Sequence, residues 1–161
     1  MKGDPKIVEL LNEALKAELT AVNQYWLHYR LLDNWGVKKL AQFERQESID
    51  EMKHADRFAE RILFLDGLPN FQALGRLRIG EDVEEILKAD LEAEYEAVQM
   101  YRASASYCES VQDLVSRDLF SAVLANEEHH VDMLETQFEM ISRMGIQNYV
   151  QLQSEAAADE D

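Results

Sequence analysis

The chain has 161 residues, a length typical of one domain, and 47% of them are hydrophobic, which is enough for a sizeable core. Its net charge of −16 disfavours nucleic acid as a partner, because phosphates would be repelled, and its single cysteine, Cys108, excludes an intrachain disulfide. No apolar run is long enough to cross a bilayer and the N-terminus has no signal-peptide pattern, so the expected location is the cytoplasm, away from membranes.

The hydrophobic pattern predicts long helices. Asp4 and Pro5 form a typical helix start, with a capping carboxylate followed by proline at the first helical position. Apolar residues then recur at helical spacing in four runs, at about 5–32, 37–65, 82–108 and 112–144. Residues 67–81 hold three of the six glycines and show no period, so we expect a long connection there. Gly145 ends the fourth run, and a short amphipathic piece, "IQNYVQLQ", and an acidic tail, "SEAAADED", follow.

These runs predict an all-α fold. Each is about 28–32 residues long, or roughly 45 Å as a helix at 1.5 Å per residue. Four such helices joined by a short, a long and a short link describe a four-helix bundle with one crossover connection, and the C-terminal piece adds a short fifth helix.

The chain also contains an internal repeat with a period of 76 residues. The identical residues of the first half that recur after this shift are Leu15, Ala17, Glu18, Ala21, Val22 and Tyr25. With the same shift, Glu51 and His54 fall on Glu127 and His130. Two related helix pairs explain the apolar matches, but shared ancestry does not by itself explain why glutamate and histidine persist at inward positions.

Each half contributes one lone glutamate and, 33 residues later, a Glu-x-x-His motif. Residues three apart lie on one face of a helix, so the members of each motif point the same way. The six residues on the inward stripes are Glu18, Glu51, His54, Glu94, Glu127 and His130. Only four histidines occur in the chain, and two of them follow these glutamates.

Four buried carboxylates need compensation, because desolvation and mutual repulsion would raise their pKa values. Two divalent cations would cancel the four charges, and two imidazoles would complete the ligation. Oxygen and nitrogen ligands suit iron or manganese and also zinc, although the lack of thiolates in the set argues against a closed structural zinc site. We interpret the pattern as a dinuclear metal site; the alternative is a set of satisfied polar groups in the core.

These paired motifs resemble those of the bacterioferritins, the haem-containing branch of the ferritin family, and the resemblance covers the whole chain. It implies a ferritin-like bundle over 1–145 and a short helix with an acidic tail over 146–161. It also implies ligand roles for the six residues: Glu18 and His54 on one iron, Glu94 and His130 on the other, and Glu51 and Glu127 bridging.

The activity implied by this resemblance is iron storage with ferroxidase chemistry. Fe(II) would be oxidised by dioxygen or peroxide, and a ferric mineral would be stored inside a hollow 24-subunit shell built from dimers. A small ferredoxin is the reductant expected from the family. The alternatives are a dinuclear iron oxygenase or peroxidase on the same bundle, and a helical scaffold whose acidic seam has no function.

Met52 distinguishes this branch of the family. It lies one residue after Glu51, which turns it about 100° away from the ligand face. By resemblance, Met52 from each of two subunits is an axial ligand of one b-type haem; otherwise it is an apolar gap-filler at an interface. The first helix is apolar beyond one stripe, at Leu19, Trp26, Leu27 and Leu31, which indicates burial on more than one side. A subunit contact or haem pocket would be lined by Leu19, Ile49, Met52 and Phe58, the last of which lies near the inner stripe; the alternative is an ordinary scatter of apolar residues on the surface.

Several further residues receive weaker assignments. Tyr25 is a redox-active neighbour, a hydrogen-bond donor or a core residue, and Glu47 is expected to hydrogen-bond around the site. We expect His28 and His129 at the surface. By resemblance, the residues that line a pore between subunits are Asn34, Asp66 and Arg117. Gln46 beside Asp50 occupies a position where some relatives have histidine, which puts an inner-surface iron site in doubt.

Overall fold

The computed structural model describes residues 1–156, which form five α-helices and no strand, so the all-α prediction is confirmed. The helices are α1 (Pro5–Asn34), α2 (Lys38–Phe64), α3 (Val83–Ser110), α4 (Leu114–Met144) and α5 (Ile146–Gln153). None of these helices is both long and apolar enough to span a membrane. The last five residues of the predicted acidic tail, 157–161, lie outside the described part of the chain.

The helix ends form where the sequence provides capping groups. The Asp4 side chain accepts a hydrogen bond from the backbone N–H of Lys6 at 2.7 Å, and Pro5 occupies the first turn of α1. The Asp82 carboxylate caps α3 by accepting from the Glu85 N–H at 2.9 Å. Gly145 separates α4 from α5 with φ at +80°, a left-handed conformation that favours glycine.

The bundle is built from two antiparallel pairs, because α1 packs most extensively along α2 and α3 along α4. Its interior has three layers. One apolar cluster includes Leu11, Phe58 and Phe120, and a second includes Leu32, Leu40 and Leu134. Buried polar residues separate the two clusters on all four long helices. Because a buried polar layer is costly unless its groups are paired or bind ions, this layer is the natural place to look for function.

Residues between α2 and α3 cross the bundle, and the part at 75–80 is attached to α1 by three hydrogen bonds. The backbone N–H groups of Gly75, Arg78 and Gly80 donate to side chains of α1 at 2.8, 3.0 and 3.1 Å. The acceptors, Thr20 Oγ1, Gln24 Oε1 and His28 Nε2, are spaced four residues apart, so they lie in one row on the helix.

Helix α5 packs on the bundle, since Tyr149 is fully buried in the second apolar cluster and donates to Gln137 on α4 at 2.9 Å. The division of the chain at residue 145 into two units stays a prediction.

Candidate metal centre

The polar layer brings the six predicted residues together from four helices. Glu18 comes from α1, Glu51 and His54 from α2, Glu94 from α3, and Glu127 and His130 from α4; each is at most 8% exposed. The three-residue spacing in α2 and α4 puts each histidine on the same face as its glutamate, as the sequence predicts.

The ligand-type atoms fall into two overlapping groups of four, in each of which the atoms lie within 4.8 Å of one another. One group is Glu18, Glu51, His54 and Glu127, and the other is Glu51, Glu94, Glu127 and His130. Glu51 and Glu127 belong to both. This arrangement fits two neighbouring cations that share the carboxylates of Glu51 and Glu127.

Both imidazoles point Nδ1 into the carboxylate cluster. His54 Nδ1 lies 3.0 Å from Glu127 and 3.3 Å from Glu51, and His130 Nδ1 lies 3.0 Å from Glu127 and 3.2 Å from Glu51. The rings are 6.4 Å apart and nearly parallel, at 24°. The two histidines therefore flank the shared carboxylates symmetrically.

The outer nitrogens of the two rings meet different partners. His130 Nε2 lies 2.9 Å from Glu47 Oε2, whereas His54 Nε2 lies 3.0 Å from the side-chain nitrogen of Asn126. Glu47 thus contacts the site from just outside the ligand set, as expected. The sequence analysis missed Asn126, although its position directly before Glu127 was an available signal.

Two buried tyrosines donate hydrogen bonds to the lone glutamates. Tyr25 on α1 donates to Glu94 on α3, and Tyr101 on α3 donates to Glu18 on α1. Of the roles expected for Tyr25, the geometry therefore shows that of a hydrogen-bond donor to Glu94.

In the metal-free site, protons provide the missing positive charge. Burial and the neighbouring Glu51 carboxylate raise the pKa of Glu18 well above its ordinary value, and burial and Glu127 do the same for Glu94. Burial by itself would lower the pKa of His54, but contacts with Glu127, Glu18 and Glu51 raise it to about 12. The carboxylates around His130 likewise hold its pKa well above the ordinary value.

Several buried atoms in and around the cluster have no hydrogen-bond partner within residues 1–156, which is rare in a folded interior. They include Glu18 Oε2, Glu47 Oε2, Glu51 Oε1, both carboxylate oxygens of Glu127, and His130 Nδ1. These oxygen and nitrogen atoms converge on one volume, and bound cations would give them the partners that they lack. The residues present therefore fit two divalent ions.

A pocket of about 870 Å³ leads from the surface to this centre. Its inner wall includes Glu18, Glu51, Glu94 and Glu127, and its outer wall includes the crossover residues 75–80. The row of hydrogen bonds from α1 to the crossover thus holds one edge of the entrance in place.

A third buried group lies one turn away from the centre and corrects the prediction for His28. This histidine is fully buried, not at the surface, and its Nδ1 lies 2.9 Å from Asp90 Oδ1. Gln24 also donates to Asp90, at 2.8 Å, and Glu44 lies close to the same pair with no hydrogen-bond donor of its own. His129 is exposed, as predicted.

This third group has the residue types of a metal site, but its hydrogen bonds argue against one. The Gly80 N–H donates to His28 Nε2, so the proton of the neutral ring is on Nδ1 and is directed at Asp90. Such a ring has no free nitrogen for a metal. Burial and the Asp90 charge raise the pKa of Glu44 well above its usual range, so Glu44 holds a proton that it can donate to Asp90.

Met52 lies on an exposed face of α2, turned away from the centre. Its side chain is 55% exposed, whereas Glu51 is 2% exposed, as the rotation of about 100° predicts. Trp26 and Leu27 on α1 are also exposed, and Ile49 is half-buried. The expectation for Phe58 was wrong: it is fully buried and packs on Tyr101 and Phe120 in the first apolar cluster.

The residues predicted to line a pore lie at helix ends. Asn34 and Asp66 are exposed, and Arg117, in the first turn of α4, pairs with Asp118 at 2.6 Å. Gln46 donates to Asp50 at 3.1 Å on α2. A pore lined by Asn34, Asp66 and Arg117 stays a prediction, and nothing in this contact makes up for the missing histidine of an inner-surface iron site.

The chain is similar to known proteins over its whole length. A family model for the ferritin-like domain matches residues 8–144. Bacterioferritin from Brucella melitensis is 52% identical over 160 residues, 99% of each chain, and bacterioferritin from Rhodobacter capsulatus is 50% identical over 152 residues, 94% of each chain.

A solved structure of the Rhodobacter capsulatus bacterioferritin superimposes with a TM-score of 0.97 at 48% identity and covers 100% of both chains. That structure is described as having a metal-free dinuclear site and a haem iron in a crystallographic special position.

Proposed function

The chain belongs to the bacterioferritins within the ferritin family and stores iron, and we propose that it loads this store by oxidising Fe(II) at its carboxylate–histidine centre. The observation that carries the proposal is the pair of overlapping four-residue groups that share Glu51 and Glu127. This geometry favours two adjacent Fe(II) ions as substrates, because two electrons can then pass to one dioxygen or peroxide molecule.

The proposed ligand roles follow from which group each residue belongs to. Glu18 and His54 hold one iron, and Glu94 and His130 hold the other. Glu51 and Glu127 bridge the two positions, since each lies within reach of both. Four carboxylates balance the charge of two divalent ions, and oxygen-rich ligation stabilises Fe(III) relative to Fe(II), which favours oxidation.

The protein's own residues then handle the protons. Glu18, Glu94, His54 and His130 hold extra protons in the metal-free site and must release them when Fe(II) binds, because each ligand binds in its deprotonated form. The pocket beside the crossover provides a route to solvent for these protons and for entering Fe(II).

The assembly and haem are further parts of the proposal. We propose a 24-subunit shell made of dimers, with Met52 of two subunits as the axial ligands of a b-type haem. The exposure of Met52, Trp26 and Leu27 supports an apolar contact on this face. A cytoplasmic location and a small ferredoxin that reduces the stored iron complete the proposal.

The double substitution of Glu51→Gln and Glu127→Gln tests the oxidation step. It removes the charge of both shared carboxylates with little change in volume, so we expect air oxidation of Fe(II) at the centre to be lost and the shell to remain assembled. The matched control, Glu60→Gln with Glu139→Gln, changes two exposed glutamates on the same two helices. An assembled double variant that oxidises Fe(II) as fast as this control would contradict the proposed site.

A further inference from the structure

The two histidines of the centre are equivalent in the repeat but have different outer partners. The carboxylate oxygen Oε2 of Glu47 lies 2.9 Å from His130 Nε2, and the amide nitrogen of Asn126 lies 3.0 Å from His54 Nε2. Glu47 is 7% exposed, so its contact with the ring is screened little by water.

This difference is specific to the two sides and is not inherited from the repeat. With the shift of 76 residues, Glu47 falls on Val123, which is fully buried in the apolar core, and Asn126 falls on Asp50. Asp50 pairs with Lys53 at 2.9 Å and forms no ion pair or hydrogen bond with a histidine within residues 1–156. Each outer partner has therefore arisen in one half of the chain only.

A second asymmetry favours the same side. The buried group of His28, Glu44 and Asp90 lies next to the Glu94 side of the centre. The shift of 76 residues replaces these three residues by Ser104, Phe120 and Ala14 next to the Glu18 side. Asp90 and Glu44 place two carboxyl groups on the Glu94 side, whereas Phe120 and Phe58 make the other side apolar. The electrostatic potential at the Glu94 and His130 position is therefore more negative than at the Glu18 and His54 position.

The outer partners also act on the rings themselves. A histidine that binds metal through Nδ1 has its proton on Nε2, and a carboxylate that accepts this proton fixes the tautomer and raises the basicity of the ligand. Glu47 Oε2 lies 2.9 Å from His130 Nε2 and has no hydrogen-bond partner within residues 1–156, so it is free to accept this proton once the two side chains align. Asn126 faces His54 Nε2 with a neutral amide, whose oxygen can accept the ring proton but adds no charge.

We propose that Glu47 is a positioning residue that makes the two metal positions unequal, so that a divalent ion fills the Glu94–His130 position first and the Glu18–His54 position second. This inference rests on the proposed function, since it assumes that both positions bind metal. It assigns an order to their filling, which the pseudo-symmetric ligand set alone would not produce.

Titration of the metal-free protein with Co(II) tests the order without iron oxidation. We expect two binding steps with distinct visible spectra, and at one Co(II) per chain anomalous scattering should place the ion between Glu94 and His130. In Glu47→Gln the ratio of the two affinities should fall by about 10–100-fold, the usual effect of losing such a partner of a ligating histidine.

Two further variants separate an effect on the ring from a general loss of structure. Asn126→Asp gives His54 a carboxylate partner at an exposed position, so it should strengthen the second step with little effect on folding. Combining it with Glu47→Gln should reverse the order, with Co(II) appearing first between Glu18 and His54.

Equal occupancy of both positions at one Co(II) per chain would overturn the inference and leave the proposed function intact. An unchanged order in the combined variant would also overturn it. If Co(II) bound at neither position, the proposed function would fail and this inference with it.

Discussion

The hydroxyl of Tyr25 on α1 donates a hydrogen bond to the carboxylate of Glu94 on α3. Its repeat partner Tyr101, on α3, donates in the opposite direction to Glu18 on α1. In each half of the repeat, the tyrosine hydroxyl thus donates to the lone glutamate of the other half. This reciprocal pair connects α1 to α3 across the buried polar layer.

Replacing Tyr25 or Tyr101 with phenylalanine should destabilise the metal-free protein by about 1–3 kcal/mol each, because a buried acceptor loses its donor. Thermal unfolding of the assembled metal-free protein would measure the effect. Tyr29→Phe is the control, because within residues 1–156 the Tyr29 hydroxyl forms a hydrogen bond only with the exposed side chain of Arg30. Phenylalanine variants as stable as this control would show that the two bonds contribute nothing.

The repeat explains why the site could be predicted from the sequence. Histidine is scarce, and two of the four histidines follow inward-facing glutamates at the same spacing in both halves, which made the six residues stand out. The ends of the helices were predicted to within a few residues because Asp4, Asp82 and Gly145 are local signals.

The groups around the site were harder to predict because their burial depends on distant residues. The helical period places His28 off the inward stripe of α1. It is nevertheless stabilised in the interior by Asp90, which is 62 residues away, and by the Gly80 amide. Glu44 carried a usable signal that was overlooked, since residues 44, 47, 51 and 54 share one face of α2. Phe58 continues the same face four residues after His54, so the helical period by itself places it in the core and not at an interface.

Glu44→Gln should leave the metal-free protein as stable as the wild type or more stable near neutral pH. Glutamine keeps a donor for Asp90, and the fold no longer has to hold a proton on a carboxyl group whose pKa is raised by burial and Asp90. Glu44→Ala should instead cost about 1–3 kcal/mol, because Asp90 loses a donor in the interior. Calorimetry of both variants would decide, and an alanine variant as stable as the glutamine variant would contradict the shared proton.

The metal-free protein should become less stable as the pH rises from about 5 to about 8. The pKa values of Glu18 and Glu94 are raised, so the folded chain binds more protons than the unfolded chain above the ordinary glutamate pKa, and stability falls with pH. The pKa of His54, raised from 6.5 to about 12, acts in the same direction above pH 6.5: its contribution is complete below that value and is lost as the pH rises toward 12. The melting temperature across this range would measure the effect.

Bound divalent metal should reverse this slope, because binding releases the same protons and therefore strengthens with pH. The variant Glu18→Gln with Glu94→Gln is the control for general charge repulsion: it lacks the two raised carboxyl groups and should show a flatter slope. A metal-free wild type whose melting temperature rises over the range would contradict the protonated site.

Met52→Leu should remove haem ligation without disturbing the bundle or the dinuclear centre. Met52 is 55% exposed in the single chain and contributes nothing to either apolar cluster, and leucine keeps an apolar side chain of similar size, so the fold and any apolar subunit contact should persist. Leucine has no sulfur and cannot ligate iron. The visible spectrum of the protein at its sizing-column peak would therefore lose the features of a haem with two thioether ligands.

Leu63→Met, at an exposed position on the same helix, is the matched control for methionine content and should keep the wild-type spectrum. If the Met52→Leu shell kept its haem with unchanged ligation, Met52 would be an interface residue and the haem would have another ligand.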